Sequence, residues 1–321
     1  MNYDLIKLLK ETDGYVSGEE ISKLFGITRA SIWKRINSLK EQGYVIEGVS
    51  KKGYKLISCP DILVPYEIEN NLSTKFIGRN INHFDTLKST NETAKSLAND
   101  AEDGTIVISE QQQGGKGRFN RVWTSPRGGL WFSLILKPNL EPIYASKVTI
   151  ISAAALLLVL KEKNIDALIK WPNDIYVNGK KLCGILTEMK CNMDVINYLI
   201  VGIGINANIP SDYFTDGIED IATSLKIITG DDINRCLLLA SFLNKFEELY
   251  TDFIEKHDIS AVLDICRKYS MLVNKEAYHI TSRGREKVTC LGIDDEGELI
   301  VKDSLQNIKS VLSGEISFKK E

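Results

Sequence analysis

Apolar positions in the first sixty residues follow the spacing of short helices and then that of a hairpin. In "YDLIKLLKE", Leu5, Leu8 and Leu9 share one helix face. "SGEEISKLFG" opens with Ser17 three residues before Glu20, the spacing of a capping box, and closes on Gly26. "TRASIWKRINSLKEQG" starts on Thr28 as an N-cap and turns Ile32, Ile36 and Leu39 inward, which leaves Arg29, Ser31, Lys34 and Arg35 mostly outward. Two short helices across a tight turn predict a helix-turn-helix. After Gly43, "YVIEGVSKKGYKLI" alternates as two strands around a Ser50–Gly53 tip, so the expected module is a winged helix. "SCPDILVP", with two prolines, reads as its exit linker.

Beyond the linker, strands alternate with helices and deliver loops. "INHFDTL" predicts a strand toward Asp85, followed by a helix with Ser89 and Thr90 at its N-terminus. "GTIVISEQQ" and "GGLWFSLIL" are further strands. "VTIISAAALLLVL", bounded by Lys147 and Lys161, is shorter than the roughly 20 residues a bilayer crossing needs and predicts a buried helix, with no membrane partner. In "LIKWPNDIYVNGKKLCGIL", Pro172 interrupts a strand, Asn173 and Asp174 fall on the turn, and Asn178-Gly179 makes a hairpin that brings Lys170, Asp174 and Lys181 together. "YLIVGIGINANIP" adds a strand thinned by Gly202 and Gly204. The apolar content of "GGLWFSLIL" and "YLIVGIGIN" fits either an edge-strand dimer or core.

After Gly230 come an amphipathic helix and a second one from about Ile259 to Tyr269. From Val273 the pattern becomes short strands with glycine turns, the size of an SH3-like barrel. The expected fold is thus α/β (α+β) in three parts: a winged helix over 1–62, a central mixed-sheet domain over 63–270 and a β barrel over 271–321.

Charge changes the picture only locally. The chain of 321 residues carries a formal net charge of -3, so no global positive field draws nucleic acid. Between Lys23 and Lys55, however, cations outnumber carboxylates by six, and they gather at the second helix and the wing tip. Thr28, Arg29, Ser31, Lys34, Arg35, Lys51 and Lys52 are therefore the candidate DNA contacts. Six cysteines without a C-x-x-C pair and three distant histidines argue against structural zinc and fit reduced thiols in the cytoplasm. The N-terminus has no secretory signal pattern.

The sharpest chemical signal is "QQQGGKGRFNRVWTSP", Gln111 to Pro126. Lys116 is followed by Gly117, so this is no P-loop, and it is no dinucleotide fingerprint. Gly114, Gly115 and Gly117 let backbone amides approach an anion, while Lys116, Arg118 and Arg121 supply charge; three such cations repel one another unless an anion joins them. Lys181, set just before the apolar "LCGIL", is a costly choice unless it faces a site.

Taken together, "STNE", "GGKGRFNRVW", "KWPND", "KLCGIL", "GIGINAN" and "SGEIS" resemble the bifunctional biotin protein ligases that also repress biotin genes, over nearly the whole chain. Lipoate ligases share the catalytic fold but not this combination. The resemblance implies a class II synthetase-like catalytic domain that makes biotinyl-5'-adenylate from biotin and MgATP and passes biotin to a lysine of a carboxyl carrier protein. It implies an adenylate-bound homodimer on operator DNA. It also implies the site residues. Ser89, Thr90, Asn91, Gln112, Gly115, Lys116, Arg118, Lys181, Gly184, Leu186 and Gly204 would hold biotin. Lys116, Arg118, Arg121, Trp123, Asn173, Asp174 and Asn206 would hold ATP or the adenylate. Lys181, Arg118 and Asp174 would be catalytic, and no residue set would form a resident metal site.

The sequence departs from the family at two points. Lys116 stands where arginine is common, which keeps charge but not the bidentate fork. The segment Gly217–Gly230 offers aliphatic residues such as Ile221 where some relatives have a tryptophan for adenine. Two other functions remain open from the sequence: a ligand-sensing DNA-binding regulator without ligase activity, and a ligase whose helix-turn-helix serves protein contact.

Overall fold

A computed structural model describes residues 2–41, 43–281, 284–312 and 314–318. The chain forms two compact units, residues 1–62 and 63–321. In the first, α1 (Asn2–Glu11), α2 (Gly18–Phe25) and α3 (Arg29–Glu41) precede a hairpin of β1 (Val45–Val49) and β2 (Gly53–Ser58). The local sequence dictates these ends. The Ser17 side chain accepts the Glu20 N–H and Gly26 closes α2 in the left-handed region at φ 63°. Thr28 Oγ1 accepts the Ser31 N–H at 3.2 Å. Leu5, Ile21, Ile32, Ile36, Leu39 and Ile46 form the core of this unit. Gly53, at φ 113°, is obligatory: a Cβ there would strike the Val16 carbonyl, whose strand-like bridge to Tyr54 pins the wing to the turn before α2.

The second unit begins inside the predicted linker. Leu63 and Val64 are core residues and Pro65 starts α4 (Pro65–Glu69), so "LVP" belongs to the fold that follows. Next come β3 (Ile81–Leu87), α5 (Thr90–Leu97), β4 (Thr105–Gln112), β5 (Leu130–Leu136), α6 (Ala145–Glu162), β6 (Ala167–Lys170), β7 (Asp174–Val177), β8 (Lys180–Asn192) and β9 (Val195–Ile205). They build a seven-stranded mixed sheet in the order β3-β4-β5-β9-β8-β7-β6, with β3 and β4 parallel and the other pairs antiparallel. The two strands considered for an edge dimer, β5 and β9, pair with each other in the interior; the edges are β3 and β6.

Helix α6 has 18 residues, longer than its apolar run, so length alone does not exclude a membrane span. Its position does: two-thirds of the apolar window is buried, with Val148, Ile151, Ala154 and Leu157 on different faces all enclosed. It packs with α8 (Arg235–Lys256) after a short α7 (Leu225–Thr229), and α9 (Ser260–Lys268) follows. The C-terminal strands β10 (Glu276–Thr281), β11 (Gly284–Ile293), β12 (Leu299–Asp303), β13 (Ile308–Val311) and β14 (Glu315–Ser317) form an antiparallel meander in which β14 returns to pair with β10. In the motif "SGEIS", Ser313 lies outside the described residues.

Candidate active site and nucleic-acid face

Strand β4 ends at Gln112, and the glycine-cation segment after it folds back on itself as a small irregular hairpin. Gln112 bridges Ser125 and Lys116 bridges Val122, and the Trp123 N–H donates to the Gly115 carbonyl at 2.9 Å. Phe119 and Asn120 at the tip both sit at φ 57°. The fold-back lays the Trp123 indole on the sheet where Gly184 and Gly204 stand opposite each other in register. A Cβ on Gly204 would come within 2.6 Å of Trp123 Nε1, so the glycines make a floor flat enough for a ring system. Trp123 stands edge-on to Trp131 with centroids 6.5 Å apart, and Lys181 Nζ lies 5.1 Å from its ring centroid.

The "KWPND" turn and the β7–β8 hairpin supply the charged wall. Lys181 Nζ lies 2.7 Å from Asp174 Oδ2. Lys170 faces Asp174 across the β6–β7 register, and burial pushes its ammonium pKa down despite that carboxylate. Asn173 is fixed from both sides: its Nδ2 donates to the Ile185 carbonyl at 2.7 Å and its Oδ1 accepts Arg118 at 3.2 Å. Two buried atoms in this wall lack a hydrogen-bond partner among the described residues: the Trp123 Nε1 donor and the Asp174 Oδ1 acceptor. Buried polar groups are rarely left so, and both border one cavity.

The other end of the cavity is neutral and polar. Ser89 caps α5, the Thr90 N–H donates to Gln112 Oε1 at 2.8 Å, and Gln112 Nε2 donates to Ser125 Oγ at 2.8 Å. Ser133 Oγ lies 2.8 Å from Thr90 Oγ1 and 2.6 Å from Asn91 Oδ1, while Asn91 Nδ2 donates to Glu188 at 2.8 Å. These hydroxyls and amides are held in fixed directions, which is what recognition of a neutral polar ring requires.

The cavity has a volume of about 320 Å³ and brings together almost every predicted ligand residue: Ser89, Thr90, Asn91, Gln112, Lys116, Arg118, Arg121, Trp123, Asn173, Asp174, Lys181, Gly184, Leu186 and Gly204. Two predicted residues do not line it. Gly115 is buried in the neck of the hairpin, its carbonyl taken by Trp123. Asn206 is buried in the scaffold, donating to the Thr223 carbonyl at 2.9 Å. Lys170 and Glu315 do line it and were not assigned from sequence. Both stood in quoted motifs, "KWPND" and "SGEIS", but Glu315 comes from a different sheet, which no local spacing reveals.

The loop cations do repel, Arg121 disfavouring the charge of Arg118, but carboxylates of the chain itself already join two of them. Lys116 pairs with Glu92 at 3.0 Å, Arg118 donates to the Gly314 carbonyl at 3.0 Å, and Arg121 forks onto Glu315. Burial alone would raise the Glu315 pKa, but Arg121 overrides it and holds the carboxyl below its ordinary value. The Arg118 pKa is lowered by burial in spite of Asp174 and Glu315. Ile221, the residue noted in place of a tryptophan, lines the same cavity, its carbonyl accepting the Lys181 N–H at 2.8 Å.

In the first unit, Thr28, Arg29 and Lys34 are exposed and Ser31 and Arg35 half-buried. Arg29 pairs with Glu19 at 3.2 Å, both in solvent, a contact worth little. Lys51 and Lys52 stand exposed at the wing tip, with Lys52 Nζ 5.8 Å from the Tyr15 ring centroid.

These geometries meet known proteins along the whole chain. Residues 83–206 match the biotin/lipoate A/B protein ligase family, 2–55 an HTH domain and 279–319 the biotin protein ligase C-terminal domain. The bifunctional ligase/repressor BirA of Bacillus subtilis is 38% identical over 317 residues, which cover 98% of this chain and 97% of that one. The chain belongs to the bifunctional biotin protein ligases. The ligase is more distantly similar to BirA of Escherichia coli, at 27% identity over 98% of this chain and 96% of the other. Its fold superimposes on the Aquifex aeolicus biotin protein ligase in complex with biotin and ATP with a TM-score of 0.64 and 30% identity, over 74% of this ligase and 98% of that chain.

Proposed function

We propose that this ligase activates biotin with ATP, transfers it to one lysine of a biotin carboxyl carrier protein, and represses biotin genes when its adenylate accumulates. The observation that carries this is the cavity itself: a fixed neutral polar end, a glycine floor, and a cationic wall in which Lys181 and Asp174 meet. Biotin's ureido ring fits the Ser89, Thr90, Asn91 and Gln112 end, and its carboxylate then points toward Lys181. A carboxylate oxygen attacks the α-phosphorus of ATP, the bond to pyrophosphate breaks, and a mixed anhydride remains. Both reactants are anions, so Lys116, Arg118 and Arg121 lower the barrier by offsetting charge that concentrates as the bond forms. Asn173 and Arg118 hold each other in the direction of the phosphate. Trp123 and Ile221 supply the apolar surface for adenine.

In the second step the acceptor amine attacks the acyl carbon, AMP leaves, and the amine loses a proton. Asp174 Oδ1, buried and unengaged, is the group placed to receive it. Asp174 is also the hard oxygen ligand through which Mg²⁺ carried by ATP would touch the protein; one carboxylate fits an ion otherwise bound by phosphates and water.

The winged helix supplies the operator contact, and the adenylate promotes a homodimer that spans a two-fold site, since joining two modules raises effective concentration. The six cysteines, without a C-x-x-C pair, suit a reducing cytoplasm. The test uses biotin, MgATP and a carrier domain. Intact-mass analysis should show one biotin added and pyrophosphate released. An unlabelled carrier, with the ligase still folded, would reduce the chain to a ligand sensor. Operator binding should tighten far more with the adenylate than with biotin or ATP alone, and unbiotinylated carrier should reverse it.

A further inference from the structure

Helix α3 carries one large apolar side chain that its core does not use. Ile32, Ile36 and Leu39 point inward, whereas Trp33 is 60% exposed. It is not isolated on a convex surface. Arg29, Trp33, Asn37 and Lys40, spaced three or four residues apart, line one wall of a concavity of about 640 Å³, and Gly48–Lys51, Gly53 and Tyr54 of the wing line the other. The ionic groups of this concavity are Arg29, Lys40 and Lys51 against the single carboxylate of Glu19, so its charge suits a polyanion.

We propose that this concavity is the sequence-reading surface of the winged helix and that Trp33, with Asn37, is a specificity-determining residue for duplex DNA. The cations along its rim hold phosphates, which carry no sequence information. Trp33 and Asn37 are of the chemistry that does read it: an indole makes apolar contact with a thymine methyl, and an amide bonds an adenine edge in two places. The selective contacts thus belong to Trp33 and Asn37, whereas Ser31, Lys34 and Arg35 do not line this concavity.

The inference rests on the repressor half of the proposed function, and the experiment separates the two. A duplex selected by the full-length protein with biotin and ATP from a random-sequence pool is compared with a scrambled duplex of the same length. Affinity is measured by fluorescence anisotropy over a salt series for wild type, Trp33→Ala, Trp33→Phe and Lys51→Ala. Trp33→Ala should weaken the selected duplex by about tenfold or more, leave the scrambled one nearly unchanged, and keep the salt slope. Lys51→Ala should weaken both duplexes and reduce the slope by about one. Trp33→Phe, which keeps apolar contact, should fall between and covers the case in which the alanine variant loses its winged-helix melting transition. Equal discrimination by wild type and both Trp33 variants overturns the inference, as does equal loss on both duplexes. Wild type that binds neither duplex overturns the repressor reading, and this inference with it.

Discussion

Replacing Glu110 by glutamine should destabilise the catalytic unit by about 3 kcal/mol. Glu110 and Arg235 are paired at 2.9 Å with side chains 3% and 1% exposed. The carboxylate also accepts the Leu63 N–H at 2.6 Å and lies 3.2 Å from His83 Nε2, while Arg235 donates to the Gly129 carbonyl at 2.6 Å. Burial would raise the Glu110 pKa, but His83, Arg235 and Leu63 override it and bring it from 4.5 to about 2. Removing the charge of one partner from a buried ion pair costs about 3 kcal/mol or more, and the depressed pKa agrees with that in sign. Because the folded value is the lower one, this stability is present above pH 4.5 and is lost as pH falls toward 2.

Calorimetry of the full chain should show the catalytic-unit transition about 6–12 °C lower in Glu110→Gln at neutral pH, the winged-helix transition unmoved, and the difference shrinking below the carboxyl's unfolded pKa. Glu110→Met with Arg235→Met should recover part of the loss, since the stranded guanidinium is what costs most. A Glu110→Gln protein melting within 1–2 °C of wild type would refute the electrostatic account of this pair.

Three other outcomes follow from the same geometry. Gly53→Ala should unfold the wing through its clash with the Val16 carbonyl, abolishing operator binding in an electrophoretic shift while carrier biotinylation persists. Gly204→Ala should lift Trp123 off the glycine floor, seen as a red-shifted tryptophan emission and a raised KM for biotin with the fold retained. Arg118→Ala should cost about 1 kcal/mol of stability, because its bonds to Asn173 and Gly314 are lost, and should release the adenylate prematurely, so that lysines of an unrelated protein become biotinylated in a mass-spectrometric assay.

What could be read from the sequence divides along a physical line. Caps, turns and periodic faces are set within a few residues, so Ser17, Gly26, Thr28 and the Asn178-Gly179 hairpin announce themselves. That something lies flat along the strand thinned by Gly202 and Gly204 was also legible, although the groups that use this room are the Asn91 amide at Gly202 and the Trp123 indole at Gly204. Strand order was not, for an all-apolar strand such as "GGLWFSLIL" looks alike at an edge or in the centre until its partners are known. Nor did the roles of Asn206 and Glu315 follow from spacing. One is absorbed by a contact to Thr223 and the other arrives from a distant sheet.

That distant carboxylate changes how ligand affinity is to be understood. Isolated cations would gain the full attraction of an incoming phosphate, but Lys116 and Arg121 already hold Glu92 and Glu315. The adenylate therefore exchanges one anion for another, and the net gain is the difference between phosphate and carboxylate at the same guanidinium or ammonium. Binding is weaker than a count of cations suggests, while the loop is shaped in advance and less ordering is required on binding. Arg118 differs from its neighbours: its partners, the Asn173 amide and the Gly314 carbonyl, are neutral, and burial disfavours its charge. A phosphate or carboxylate reaching it meets a desolvated cation whose charge Asp174 and Glu315 favour without a hydrogen bond to it among the described residues, so its contact strengthens when the ligand carries negative charge.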